Sequence, residues 1–229
     1  MRHAEEHAAL VRAATAVYGL HKQDLERIKE EHRRAIERPD FLWAKIVESF
    51  ANWGGPEGWD LLIQDPDNLS RLTYAALARL SPQERHREIQ GILKESGVKW
   101  PNKKAAYLDR CFQQIEDLGG PEEAKRLFFE QEEPKAQERF LMALPGIGPS
   151  CARALVMDAQ PELFQETITV DKRIKRISTR LALRFSDHAT EKRFYRTAAE
   201  EMGITPRELE TLLLHDLDEV LELLEDEGY

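Results

Sequence analysis

Cysteine is scarce in this chain. Cys111 and Cys151, forty positions apart, are the only two among 229 residues. Two isolated thiols cannot complete a four-thiolate zinc or iron–sulfur centre within one chain. Both are therefore expected to be small buried hydrophobes in a reducing cytoplasm. Long apolar runs are missing too. None approaches the roughly 18–20 residues that span a bilayer, so no membrane partner is expected. The first residues, Met1-Arg2-His3-Ala4-Glu5-Glu6, carry acids with no apolar stretch behind them, and a signal peptide is not expected either. Polar–apolar alternation of useful length is absent, as are internal repeats and low-complexity linkers. The seven histidines show no metal-ligand spacing. His3 and His7 stand four apart, but in a terminal turn prone to fraying, so no metal site is expected. Positive charge is in deficit, with 33 Lys and Arg against 42 Asp and Glu.

What remains is helix. Hydrophobic content of 41% with 33% charged residues describes a globular chain long enough for a sizeable core, as one domain or two packed lobes. Apolar positions recur at helical spacing over 2–18, ended by Gly19, then over 24–37 and 41–52. Turn chemistry makes 53–58 a loop, and helices follow over 69–80, 82–96, 102–118 and 121–129. Further helices are expected at 134–159 as a hairpin pair, 172–185, 191–202 and from 206 onward. Ser81-Pro82-Gln83-Glu84 and Thr205-Pro206-Arg207-Glu208 both read as capping boxes with proline at the first helical position. The fold class is all-α, with about ten helices on short connections.

The net charge of −9 is unevenly distributed. Seven of those charges sit in 216–227, as Asp216, Asp218, Glu219, Glu222, Glu225, Asp226 and Glu227, with no Lys or Arg among them. That stretch reads most simply as a solvated helix face. Conversely, Lys172, Arg173, Lys175, Arg176, Arg180 and Arg184 place six positive charges in thirteen residues without one acid. Electrostatic footprints are local, because salt screens over ~8–10 Å, so the global charge does not exclude a polyanionic partner.

Two short stretches carry the chemistry. In Leu144-Pro145-Gly146-Ile147-Gly148-Pro149-Ser150-Cys151-Ala152 an apolar helical pattern breaks at Pro-Gly-x-Gly and a new one starts at once. Closely spaced glycines supply unusual dihedrals and permit close backbone approach. The second helix then presents free N–H groups and its positive dipole end, which is an anion site. In Val170-Asp171-Lys172-Arg173-Ile174-Lys175-Arg176 a single carboxylate heads a basic helix.

Together these stretches resemble the helix-hairpin-helix, Gly/Pro-rich-loop, Asp superfamily of DNA glycosylases. Endonuclease III, the adenine glycosylase MutY, 8-oxoguanine glycosylase and AlkA are its branches. The resemblance covers about forty residues strongly. It extends more weakly from Phe41 to Leu181, through the helix 41–52 and the Asn102-Lys103-Lys104-Ala105 helix start. It implies a two-lobed helical glycosylase fold: a central lobe over 41–144, a second lobe from 1–40 plus 145–229, and the hairpin (134–159) at their junction. It implies a partner, duplex DNA with a damaged or mispaired base, for a monomeric enzyme of the cytoplasm, nucleoid-associated in a prokaryote.

By the same resemblance Asp171 is the catalytic carboxylate. Pro145, Gly146, Ile147 and Gly148 hold the DNA backbone, and Arg173, Lys175 and Arg176 add phosphate contacts. Cleaving an N-glycosidic bond builds positive charge on the sugar, which a nearby carboxylate stabilises. Phe50, Asn52, Trp53 and Lys104 are candidates for the base pocket or for a wedge into DNA, with Trp43, Trp59, Trp100 and Tyr107 as further aromatics. Ser150 stands where bifunctional branches carry a nucleophilic lysine, as in the MutY-like branch, implying a monofunctional, water-using enzyme. Lys172 beside Asp171 leaves lyase chemistry open. No cofactor is required and no iron–sulfur cluster is expected, since no cysteine follows Cys151; a monovalent cation at the hairpin is implied by the family.

Blander readings stand beside these. An Asp at a helix start is ordinarily an N-cap, a basic run a solvated face, and a tryptophan part of the core. A non-catalytic hairpin DNA-binding protein and a helical protein-interaction module are the alternative functions.

Overall fold

A computed structural model describes residues 3–55 and 57–229. Arg2 and Pro56, which fall in an expected helix and an expected loop, lie outside the described residues. Those described form fourteen α-helices and no strand, so the chain is all-α. Arg34–Ala159 makes a central unit; 3–33 with Gln160–Tyr229 makes a terminal unit.

The terminal unit begins with α1 (Ala4–Glu37), whose last turn enters the central unit. The helix expected to end at Gly19 runs straight through it. A mid-helix glycine costs only about 1 kcal/mol, and burial of Leu10, Ala14, Val17 and Leu25 on both sides of it outweighs that. In the central unit, α2 (Phe41–Asn52) buries Trp43, Ile46, Val47 and Phe50. Trp43 donates its indole N–H to the Leu72 carbonyl at 2.8 Å.

Three short helices follow: α3 (Glu57–Ile63), α4 (Pro66–Arg71) and α5 (Tyr74–Leu77). The single helix expected over 69–80 is split because the Thr73 hydroxyl accepts from Ala76 N and starts a new turn. Next, α6 (Pro82–Glu95) opens on the Ser81–Glu84 capping box and packs against α7 (Pro101–Asp117). Arg85 is buried between them, 2.7 Å from Asp109 and over the Phe112 ring. Finally, α8 (Pro121–Phe129), α9 (Pro134–Met142) and α10 (Pro149–Ala159) complete the unit.

The boundary differs from the expected one, because the whole hairpin belongs to the central unit. Its helix α10 packs on α9 and is tied to α2 through Lys45, whose ammonium lies 2.9 Å from Glu48 and 3.2 Å from Asp158.

The rest of the terminal unit comprises α11 (Ile174–Arg180), α12 (His188–Met202), α13 (Pro206–His215) and α14 (Leu217–Asp226), which share one core with the start of α1. The basic helix is shorter than expected because Ala182 turns left-handed (φ 50°) and Leu183 N returns to the Ser178 carbonyl. The final helix is broken at Asp216, which leaves helical geometry and bonds His215.

Candidate functional site

In the central unit the turn between α9 and α10 rests on α7. Gly146 has φ +83°, and a Cβ there would lie 2.8 Å from the Tyr107 ring and 3.0 Å from Phe50. Glycine is required on both counts. Further along the same face of α7, the Cys111 thiol donates to the Pro145 carbonyl at 3.2 Å, and Gln114 Nε2 donates to the Ala143 carbonyl at 3.3 Å. Ile147 N donates to the Leu144 carbonyl. Burial outweighs the nearby Arg110 and pushes the Cys111 thiol up to about 12, so it stays a protonated donor. The turn is therefore held from beneath, at 107, 111 and 114.

Its outer side is different. Gly148 has ordinary φ, and a Cβ there would meet nothing within 4 Å. Pro149 opens α10 without an N–H, leaving those of Ser150 and Cys151 in the first turn, where an α-helix has no carbonyl to offer them. Ser150 is exposed. Residues 146–151 form one wall of an open cleft of about 550 Å³; Lys45, Glu48, Phe50 and Trp53 line the other. The cleft is bipolar, with helix-start donors at the α10 N-terminus and the Lys45–Glu48–Asp158 cluster along its length. Burial opposes the charge on Lys45, but Asp158 and Glu48 outweigh it and raise the lysine above its usual range. Cys151 also lines the cleft, its thiol raised by burial against a hydrogen bond with Ser49.

Four sequence candidates flank this cleft or lie behind it. Phe50 is buried, stacked on Tyr107 at 5.9 Å. Trp53 is half-exposed at the rim, with Lys103 over its ring at 4.8 Å and Trp100 at 5.9 Å. Trp100 adopts φ 55°, uncommon for a bulky side chain, and lies across Gly54, where a Cβ would come within 2.4 Å of its ring. Asn52 lines the cleft and accepts from Trp59 N at 3.0 Å. Lys104 does not reach the cleft. It is wholly buried and donates to the Ala51 carbonyl at 3.0 Å, neutralising the negative end of α2. Burial, with Lys99 nearby, lowers it to about 8. Trp43 is buried in the core.

The terminal unit presents Asp171. Ile168 and Val170 are buried while Thr169 N donates to the buried Glu210 carboxylate at 3.0 Å, which fixes the segment entering the site. Burial raises Glu210 despite Arg207 beside it. Asp171 then receives Arg173 N (2.8 Å) and Ile174 N (3.0 Å) on one oxygen and Arg173 Nε (3.0 Å) on the other. It caps α11 and is about one-third exposed. The capping reading is thus correct as structure and leaves the carboxylate open to solvent. Lys172, Arg173, Lys175 and Arg176 are all exposed around it. Among the described residues no cluster of His, Cys, Asp and Glu is arranged to hold a metal ion, and no helix is long and apolar enough to cross a membrane.

The geometry defines a class: an all-helical protein with a glycine hairpin whose second helix opens its N-terminus onto a cleft, and a carboxylate heading a basic helix. Against solved proteins, the chain is similar to the crystal structure of the 8-oxoguanine DNA glycosylase of Thermotoga maritima. The TM-score is 0.62 at 17% identity, over 93% of this chain and 98% of that one. At such identity the likeness establishes the shared helical fold. No family model and no curated protein matches the sequence.

Proposed function

We propose that this chain is a base-excision DNA glycosylase, which rotates a damaged or mispaired base out of duplex DNA and hydrolyses its N-glycosidic bond. The observation that carries the reading is Gly148. Nothing in the chain requires glycine there, yet its bare face stands beside the open α10 N-terminus at the cleft wall. A DNA phosphate approaching those N–H groups does require it. The fold shared with a protein named as an 8-oxoguanine DNA glycosylase supports the same class.

Asp171 would stabilise the positive charge that develops on the deoxyribose and orient the attacking water, its position fixed by the N–H groups of 173 and 174. Phe50 and Trp53 line the cleft and would give an unstacked base an aromatic wall, and Asn52 or Trp53, on the same lining, would supply the wedge into the duplex. Ser150 offers a hydroxyl, which cannot form a Schiff base, so water is the nucleophile. Lys172 is the amine left to attack the sugar; borohydride trapping on a lesion duplex is expected to yield no adduct, and an adduct lost in Lys172→Ala would assign a lyase instead. Of the cation implied by the family, the carbonyls of Ala143, Leu144 and Pro145 already accept from Gln114, Ile147 and Cys111. Each of these carbonyls keeps a second lone pair, and no step here uses a cation. The enzyme would act as a monomer on DNA in the cytoplasm.

Asp171→Asn tests the reading. Asn caps a helix as well as Asp, so fold and duplex affinity persist, while base release falls by roughly 10²–10⁴. A non-catalytic DNA-binding protein predicts no release from either form. A panel of duplexes carrying oxidised guanine, alkylated purine, mismatched adenine or thymine, or oxidised pyrimidine supplies the substrate, with oxidised guanine tried first.

A further inference from the structure

The basic run 172–184 contains no acid, yet the fold brings acids to four of its six cations. Arg173 lies 3.0 Å from Asp171, Lys175 3.9 Å from Glu191, Arg176 3.1 Å from Asp218 and Arg180 3.2 Å from Glu225. Lys172 and Arg184 alone have no acid within ion-pair distance among the described residues. Two of the four acids belong to one element, α14, which contacts α11, buries Leu217, Val220, Leu221 and Leu224, and carries Asp218 and Glu225 beside Arg176 and Arg180. Its end is tied further, by Arg12 to Glu227 and by Arg180 donating to the Tyr229 carbonyl.

We propose that α14 is an internal competitor for the phosphate-binding face of α11, and so sets the affinity and salt dependence of DNA binding. This rests on the nucleic-acid reading above and adds regulation to it. Asp218 and Glu225 stand in for phosphates at Arg176 and Arg180 while no DNA is present. Both pairs are exposed, so each is weak and readily exchanged. They nevertheless cancel two positive charges within one Debye length of the site, and on exchange they leave two carboxylates facing a polyanion. The arginines therefore bind phosphate with less net gain than their count implies. A modification or partner that draws the acids away would strengthen DNA binding without touching the site itself.

The test compares two doubly neutralised full-length proteins with equal net charge. Asp218→Asn/Glu225→Gln removes the paired acids; Glu222→Gln/Asp226→Asn removes two acids of the same helix that make no ion pair. Duplex affinity is measured across salt concentrations. The first protein is expected to bind roughly 3–10-fold tighter than wild type at about 50 mM salt, with a log–log slope steeper by up to about 2. The second is expected to shift by less than about 2-fold with an unchanged slope. Adding Arg176→Gln/Arg180→Gln to the first protein abolishes the gain. Equal shifts in both proteins, no shift in either, or a gain that survives loss of the arginines overturns the proposal while duplex binding stands. Absence of salt-dependent duplex affinity in wild type and all variants overturns the nucleic-acid reading, and the competitor with it.

Discussion

The hairpin turn and the α11 segment are two ways of offering positive potential to a phosphate, and they differ in what can cancel them. The turn offers neutral backbone donors, the N–H groups of 148, 150 and 151, available because a helix start has no earlier carbonyl to pair them. Side chains of α7 engage its carbonyls, at Ala143 and Pro145, and leave the donor side untouched. The α11 segment offers side-chain charge, which any acid brought near by the fold can neutralise, and Asp171, Glu191, Asp218 and Glu225 do so. Backbone donors are secured by local geometry, whereas side-chain charge depends on distant partners. The contrast predicts that binding rests on the turn and is tuned at the helix.

The sharpest way to break that contrast uses its two glycines. Gly146→Ala forces a Cβ into the Tyr107 ring at left-handed φ, and is expected to destabilise the protein by roughly 2–4 kcal/mol in a urea melt. Gly148→Ala meets nothing and has no φ penalty, so stability should change by less than about 1 kcal/mol, in the stabilising direction. Its methyl would stand where the phosphate approaches, and duplex affinity should fall at least about tenfold. A Gly148→Ala protein that binds duplex as wild type does would refute the turn as the grip.

Lys104 sharpens the comparison from the stability side. Its folded value of about 8 lies below the ordinary 10.5, so between those values the unfolded chain binds more protons and stability rises with pH. The penalty is fully present below about 8 and relieved by about 10.5. Wild type minus Lys104→Met in urea melts should show that upward slope, on the order of 2 kcal/mol across the window. Subtracting the variant is necessary, because Cys111, raised from 9.0 to about 12, slopes the other way above pH 9. A flat difference would mean the ammonium is not buried.

What could be read from sequence follows the same division. The Pro-Gly-x-Gly turn, both capping boxes and the proline-led helix starts appear where expected because each is decided within four or five residues. The continuity of α1 through Gly19, the break at Asp216 and the early end of α11 depend on packing and on single dihedrals that no periodicity reports. At the site, Gly146, Gly148 and the capping role of Asp171 were legible. Cys111, read only as a buried hydrophobe, was not; its spacing of four from Tyr107 on α7 was the available signal, but the Pro145 carbonyl it meets lies 34 residues on. Lys104 looked like a lining residue because a buried lysine beneath a helix C-terminus has no sequence signature.

The smallest expected effect separates two neighbouring cations. Lys172 and Arg176 are both exposed in the same segment, and by sequence they are equivalent contributors. Arg176 is paired with Asp218 and Lys172 with no described acid, so the free lysine should be the better phosphate contact. Lys172→Ala is expected to weaken duplex binding about 3–5-fold at low salt and flatten the log–log slope by about 1. Arg176→Ala should cost less than about 2-fold, since its loss also frees Asp218 from a contact that opposed binding. The order holds only while Asp218 is present: in an Asp218→Asn background Arg176→Ala should approach the Lys172→Ala effect. If the two single variants weaken binding equally in the unaltered background, side-chain charge at α11 acts as the bare sequence implies, and its partners do not regulate it.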